Sequence, residues 1–301
     1  MTFSSCIKSM RLRTLPLSLS GIVLGVFLAA ADYRIDALTV VFLALTTVGL
    51  QILSNLSNEL GDTLHGTDTA ERQGIHYSIQ DGEMTVPEMK LLIGIVAFLC
   101  CIFGLIMIKC SFGKIFDWRP MTFVVLGAAA IWAAMHYTLG KNPYGYRGLG
   151  DLFVFLFFGI ATVCGGYFLC SHEFASWIIL LPAAAIGFFS VGVLNVNNIR
   201  DMKTDAATRV TVAIRMGGKR ARIYQTALIA LGWACMLAYC SMRFFSIWHY
   251  LFVLTLPLFI MHLRGVWTRD GRALDPMLPL LVMSSFLFSL LAGLGFVIFL
   301  L

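Results

Sequence analysis

The sequence predicts an all-α, polytopic membrane helix bundle of about nine transmembrane helices, with a cytoplasmic N-terminus and two similar aspartate-rich halves. Three observations predict it. Hydrophobic residues fill 59% of 301 positions and charged residues only 13%, with a mean hydropathy of +0.84, whereas an ordinary soluble domain is about a quarter charged. The apolar runs are long and continuous, near the roughly 20 residues that cross a bilayer, and they do not alternate as membrane β-strands do. A polar, acidic stretch also occurs twice, each time where an apolar run meets a charged loop.

The elements follow in order. Residues 1–13 carry Lys8, Arg11 and Arg13 and read as a short amphipathic lead-in. The run behind them contains Pro16 and is the first of many, so it reads as a retained helix rather than a cleaved signal peptide. Spans are expected at about 14–31, 38–58, 89–109, 120–139, 152–170, 175–197, 221–240, 246–263 and 277–299. The second span runs into Ser54–Asp68, the first acidic stretch. The loop from 59 to 88 is glycine-bearing (Gly61, Gly66, Gly74, Gly82) and is expected to fold over that end rather than form a domain. Spans three and four hold few polar residues and read as scaffold. A loop rich in Gly and Tyr, Gly140–Asp151, opens span five. Span six runs into Asn195–Asp205, the second acidic stretch, followed by a basic loop with Arg200, Lys203, Arg209, Arg215, Lys219 and Arg220. The whole of 1–301 reads as one membrane domain.

Charge sets the expected orientation. Of the 22 Lys and Arg, all but Arg34, Lys109, Lys114, Arg119 and Arg243 fall on the side of the N-terminus. The positive-inside rule makes that side cytoplasmic. Both acidic stretches lie there, so the chemistry is expected at the cytoplasmic face of a cell membrane. The net charge of +6 follows from this topology and asks for no nucleic acid. The eight cysteines show no C-x-x-C spacing and read as soft packing residues.

The two acidic stretches echo each other. Asn58 and Asp62 are four apart, and so successively are Asn197, Asp201 and Asp205, a spacing that puts them on one helix face. Thr67–Asp68 leads to Arg72, and Thr204–Asp205 to Arg209, both as T-D-x-x-x-R. Carboxylate and amide oxygens are hard ligands that suit Mg²⁺, which binds a few carboxylates and completes its shell with water and phosphate oxygens. Zinc would ask for His or Cys at ligand spacing, and the clusters have none; His65 and His76 read as loop residues. Arg72, Arg200, Lys203 and Arg209 beside the acids complete what a metal-bridged anion needs, and a diphosphate is the natural candidate. Singly, each of these residues also reads as a helix cap or a topological charge; the doubled constellation does not. Glu59 stands one position off the Asn58–Asp62 face, and its role as a ligand stays open.

These residues carry a resemblance. Asn58-Glu59-Leu60-Gly61-Asp62 through Asp68, paired with Asn197 through Asp201 and Asp205, resembles the two aspartate-rich motifs of the intramembrane UbiA-type prenyltransferases. Asn55–Asn58, Pro143–Asp151, and Leu194–Asp201 continuing to Thr211–Arg215 are similar to its 1,4-dihydroxy-2-naphthoate branch. Glu59 replaces the first Asp of the general motif N-D-x-x-D-x-x-x-D, and the last acid, Asp68, comes two residues late. The resemblance implies a Mg²⁺-dependent transfer of a polyprenyl group from polyprenyl diphosphate to 1,4-dihydroxy-2-naphthoate, with loss of the ring carboxylate, giving demethylmenaquinone. It implies Asn58, Asp62, Asp68, Asn197, Asp201 and Asp205 at the metal, and the four acids as catalytic. Arg72, Arg200, Lys203 and Arg209 would meet the diphosphate, Tyr144 and Tyr146 would line the substrate site, and Arg147 would meet the acceptor carboxylate. For Arg147 a charge balance with Asp151 is the competing role. Membrane lipid is the other expected partner. Another acceptor such as 4-hydroxybenzoate is the runner-up. A transporter is the alternative of a different class, disfavoured because both acidic stretches share one face and most span centres lack charge.

Overall fold

The computed structural model describes residues 2–66, 77–173, 176–206 and 209–298; Asp68, Arg72 and His76 lie outside them. Among the described residues nine helical segments are long and apolar enough to cross a membrane, and the chain is a polytopic membrane helix bundle. The only β-type pairing among the described residues is an isolated parallel bridge between Arg147 and Val210.

Helix α1 (Phe3–Met10) starts with a reciprocal Thr2–Ser5 cap and ends at Arg11, whose φ of 52° turns the chain. Helix α2 (Leu15–Asp32) follows, with Pro16 in its first turn, where a missing N–H costs nothing. The Asp36 carboxylate caps α3 (Ala37–Leu64) by accepting from Thr39 N at 2.7 Å. A Thr85–Glu88 capping box opens α4 (Val86–Phe112), and α5 (Trp118–His136) completes the first half. Helix α5 buries only Pro120 and Ala133 while Val125, Leu126 and Trp132 stay exposed, the pattern of a lipid-facing helix.

The fifth span is α6 (Gly150–Val154), a π-helical stretch Phe155–Ala161, and α7 (Thr162–Ser171). The wide turns press Gly159 against the next span, where a Cβ would lie 2.6 Å from Ala183 O and Gly187 Cα. That span is α8 (Leu180–Arg200), followed by α9 (Met202–Asp205), α10 (Val212–Met216) and α11 (Gly218–Met242). A 3₁₀ segment Ile247–Thr255 leads into α12 (Leu256–Thr268), and a 3₁₀ turn Gly271–Leu274 into α13 (Met277–Val297). A knot of buried aromatic rings, Phe189 with Trp233, Phe252, Phe259 and Phe288, packs α8 against α11, α12 and α13 at centroid distances of 4.8–5.5 Å for most pairs.

One boundary bears on function. The second span, expected to end near 58, continues to Leu64, so the first acidic stretch as far as Leu64, Asn58 and Asp62 included, is the last turns of a helix and not a loop edge. The polar residues there are helix-compatible, and the hydropathy drop that marks a membrane exit does not end hydrogen bonding.

Candidate active site at one end of the bundle

Helices α3 and α8 both end in an acidic stretch, and helix C-termini carry partial negative charge that adds to the attraction for a cation. On α3, Asp62 is 4% exposed and Asn58 half-buried. On the other side, the ladder Asp201 N to Asn197 O (3.1 Å), Asp205 N to Asp201 O (2.9 Å) and Arg209 N to Asp205 O (3.0 Å) runs on past the end of α8. The four-residue spacing is therefore real helical spacing, and it carries Arg209 as its fourth member.

Arg209 joins the halves. Its Nη2 lies 2.7 Å from Asp205 Oδ2 and its Nη1 3.8 Å from Asp62 Oδ1. Burial alone would pull the arginine pKa down, but the carboxylates of Asp62 and Asp205 outweigh it and hold the pKa above the ordinary value. Arg200, expected to face a diphosphate, is buried and gives four of its five N–H groups to partners inside the fold. It forks onto Asp201 (Nε–Oδ1 2.9 Å, Nη2–Oδ2 2.6 Å), and also donates to Asn197 Oδ1 at 2.8 Å and Asp275 Oδ1 at 2.6 Å. A planar guanidinium can serve three acceptors at once, where an ammonium could not hold the fork.

The Gly- and Tyr-rich loop spans the gap between the two stretches. Tyr146 donates its hydroxyl hydrogen to Asp62 Oδ1 at 2.6 Å, and its backbone oxygen accepts from Val210 N at 3.1 Å. The loop wraps Tyr137, whose phenol burial pushes up to about 12. A Cβ on Gly145 would lie 2.6 Å from Tyr137 O, and one on Gly150 2.8 Å from its hydroxyl. Arg215 packs over Gly148 and reaches Arg147 O at 3.5 Å.

Of the expected residues, the fold brings together Asp62, Asp205, Tyr146 and Arg209, with Asn197, Arg200 and Asp201 on the adjoining turn. Tyr144 is directed elsewhere, its hydroxyl on Ala133 O at 2.7 Å. Lys203 and Arg147 are exposed. The competing role for Arg147 does not materialise, because Asp151 accepts instead from Tyr224 at 3.0 Å. Glu59 is 0% exposed and accepts from Ile79 N at 2.9 Å, which anchors the segment 77–84. That segment also takes Ser78 Oγ to Ser5 O (2.7 Å) and Lys8 to Asp81 (2.5 Å).

Sequence reasoning missed Thr138, Asp275 and His65. Thr138 donates to Ser57 O at 2.8 Å and lies 3.2 Å from Asn58 Oδ1, and Gly61 leaves the room it needs. Asp275 is the third acceptor of Arg200. His65 Nδ1 and Nε2 stand 2.9 and 3.2 Å from Gly61 O and Gly140 O, and the neutral ring donates to one of the two.

Among the described residues no three His, Cys, Asp or Glu side chains converge to enclose a metal ion. The hard oxygens of Asp62 and Asp205 do fit a cation such as Mg²⁺, which takes one or two carboxylates and leaves its remaining positions to phosphate oxygens and water. Arg209 lies against both carboxylates.

The UbiA prenyltransferase family matches residues 18–291. The chain is 38% identical over 292 residues to the 1,4-dihydroxy-2-naphthoate octaprenyltransferase of Escherichia coli (strain K12), covering 96% of this chain and 94% of that one. Its fold superposes on a UbiA homologue from Aeropyrum pernix with a TM-score of 0.69 at 16% identity, covering 97% and 98% of the two chains. A UbiA homologue from Archaeoglobus fulgidus bound to GPP and Mg²⁺ gives a TM-score of 0.65 at 16% identity, covering 99% and 100%.

Proposed function

This chain belongs to the UbiA prenyltransferase family, and from that premise we propose that it transfers a polyprenyl group from polyprenyl diphosphate to 1,4-dihydroxy-2-naphthoate, with decarboxylation, giving the hydroquinone form of demethylmenaquinone. The naphthoate acceptor is supported by the 38% identity along nearly the whole chain to an enzyme of that name. The observation that supports the site is Arg209 between Asp62 and Asp205, because it brings acids from two stretches more than 130 residues apart in sequence to one place.

Asp62, Asp201 and Asp205, with Asn58 and Asn197, would hold Mg²⁺; by sequence pattern Asp68 joins them, and Arg72 joins the residues that meet the diphosphate. When bound, Mg²⁺ neutralises charge developing on the departing diphosphate. Arg209 and the exposed Lys203 bind the diphosphate oxygens. The allylic C–O bond breaks, the electron pair leaves with diphosphate, and the electron-rich ring attacks the allylic carbon as its carboxylate departs as carbon dioxide. Tyr146 orients Asp62 through their hydrogen bond, and Arg147 faces the acceptor carboxylate. The site lies at the cytoplasmic face of the cell membrane, with the N-terminus cytoplasmic, and residues 1–301 act as one domain.

The test is incubation of purified protein with a labelled polyprenyl diphosphate and each acceptor in turn, with and without Mg²⁺. Prenylated product is expected from 1,4-dihydroxy-2-naphthoate and not from 4-hydroxybenzoate, and exhaustive chelation should stop it. Turnover of 4-hydroxybenzoate alone would overturn the acceptor assignment, and full activity after chelation the metal.

A further inference from the structure

Asn195 lies two residues before Asn197, so it points about 200° around α8 from the site-facing oxygens. It is 1% exposed. Its Nδ2 donates to Ala221 O at 3.0 Å and to Gln225 Oε1 at 2.9 Å. Gln225 Nε2 stands 3.0 Å from His262 Nε2, and His262 Nδ1 3.0 Å from Met277 O. The polarity of this chain is determined. Because the Gln225 oxygen accepts from Asn195, its amide hydrogens face His262; His262 Nε2 accepts, and its Nδ1–H donates to the Met277 carbonyl. Gln225 and His262 are 0% exposed.

The backbone makes room for this chain. A Cβ on Gly192 would lie 3.0 Å from Gln225 Nε2, and one on Gly265 1.9 Å from Met277 Sδ. The chain also closes on itself. Asp275, two residues before Met277, accepts from Arg200 Nη1 at 2.6 Å, and Arg200 in turn grips Asn197 and Asp201. The circuit runs from α8 through α11 and α12 to the start of α13 and back to α8.

We propose that the Asn195–Gln225–His262 chain is a positioning device for the second acidic stretch: it fixes the turn at 271–277, and with it Asp275, so that Arg200 presents Asn197 and Asp201 in one geometry to a metal-bridged diphosphate. The proposal rests on the diphosphate reading of that site. An apolar contact would close the same helices without desolvating three polar side chains, but it would not specify one register; a chain of donors and acceptors with a single polarity does.

The test measures binding of Mg²⁺ with inorganic diphosphate to the full-length protein by calorimetry, alongside initial rates with each substrate varied. His262→Met and Gln225→Met keep volume and remove the bonds. Each is expected to weaken Mg²⁺–diphosphate binding about tenfold, the scale of one lost hydrogen bond, while the acceptor KM stays within about twofold. His262→Gln still accepts from Gln225 and should recover most of the loss. Folded methionine variants that bind like wild type overturn the proposal, and so does equal weakening of donor and acceptor or a glutamine variant no better than methionine. Should neither methionine variant fold, Asp275→Ala removes the acceptor at the other end of the circuit and decides: weakened Mg²⁺–diphosphate binding supports the proposal, and unchanged binding overturns it. Failure of wild-type protein to bind the probe overturns the diphosphate reading together with this proposal, and is distinct from a variant that binds normally.

Discussion

The Tyr146 hydroxyl donates to Asp62 Oδ1 at 2.6 Å, which ties the loop of 140–151 to the acid at the end of α3. The Tyr146 ring lies edge-on to His65 at 5.3 Å and 5.9 Å from the Arg209 guanidinium. One side chain thus touches Asp62 and lies beside the arginine that Asp205 holds. Tyr146→Phe removes a hydrogen bond to a charged group, worth about 1.5–3 kcal/mol, so kcat/KM should fall about ten- to a hundredfold. The pairing of Tyr146 O with Val210 N does not depend on the hydroxyl, so helicity and elution should be unchanged. Initial rates and circular dichroism check both parts, and a variant with wild-type rates would remove Tyr146 from the mechanism.

The two acidic stretches act as a unit if they share one diphosphate. Asp62→Asn and Asp201→Asn should each abolish most turnover, and the double variant should lose little more, because parts of one site are far from additive. Asparagine is the informative substitution at 201. Truncating Asp201 to alanine would leave Arg200 short of a partner in a buried setting, a loss of about 3–5 kcal/mol that confuses folding with catalysis. Single-turnover rates on protein that retains its elution profile are the measurement; independent, multiplying losses would mean two separate sites.

Much of this was legible in the sequence because helices write their periodicity into it. The i, i+4 spacing of Asn197, Asp201 and Asp205 is a true hydrogen-bonded ladder, and one acid from each stretch, Asp62 and Asp205, meets at Arg209. What was not legible depends on residues far apart in the chain. Asp275 meets Arg200 across 75 positions, and Thr138 meets Asn58 across 80, and no local pattern encodes either contact. Arg200 shows the limit clearly. Adjacency to Asp201 suggested a substrate contact, and did not announce the acceptor that Asp275 brings to the same guanidinium. The π-helical stretch was invisible for another reason: Phe155–Ala161 has the composition of any apolar span, and only its packing on Gly187 sets it apart.

Glu59 was ambiguous by one position, and the structure gives it a task. A rotation of about 100° per residue carries it off the Asn58–Asp62 face, and its carboxylate takes the Ile79 N–H instead. Glu59→Gln keeps an acceptor oxygen for that N–H and should retain most activity. Glu59→Ala leaves a buried donor unpaired, at about 1–3 kcal/mol, and should lower the melting temperature while the apparent Mg²⁺ requirement stays the same. Thermal melts and Mg²⁺ titrations distinguish this from a ligand role, in which the glutamine variant would need much more Mg²⁺.

Arg147 and Arg209 separate acceptor from donor. The Arg147 backbone is bridged to Val210 and its side chain is exposed, with no hydrogen-bond or ion-pair partner among the described residues. Arg209 is committed to Asp62 and Asp205. If Arg147 meets the acceptor carboxylate, Arg147→Ala should raise the KM for the aromatic acid about ten- to a hundredfold, the worth of a charge-assisted hydrogen bond, and leave the donor KM nearly unchanged. Arg147→Lys should rescue only in part, because an ammonium lacks the planar fork that matches a carboxylate. Arg209→Gln should show the reverse, weakening the polyprenyl diphosphate, since it removes the cation that two acids hold in place. Both are read by initial rates with one substrate varied at saturating levels of the other. Should Arg147→Ala impair the donor alone, the loop of 140–151 belongs to the diphosphate site and the acceptor carboxylate must be met elsewhere.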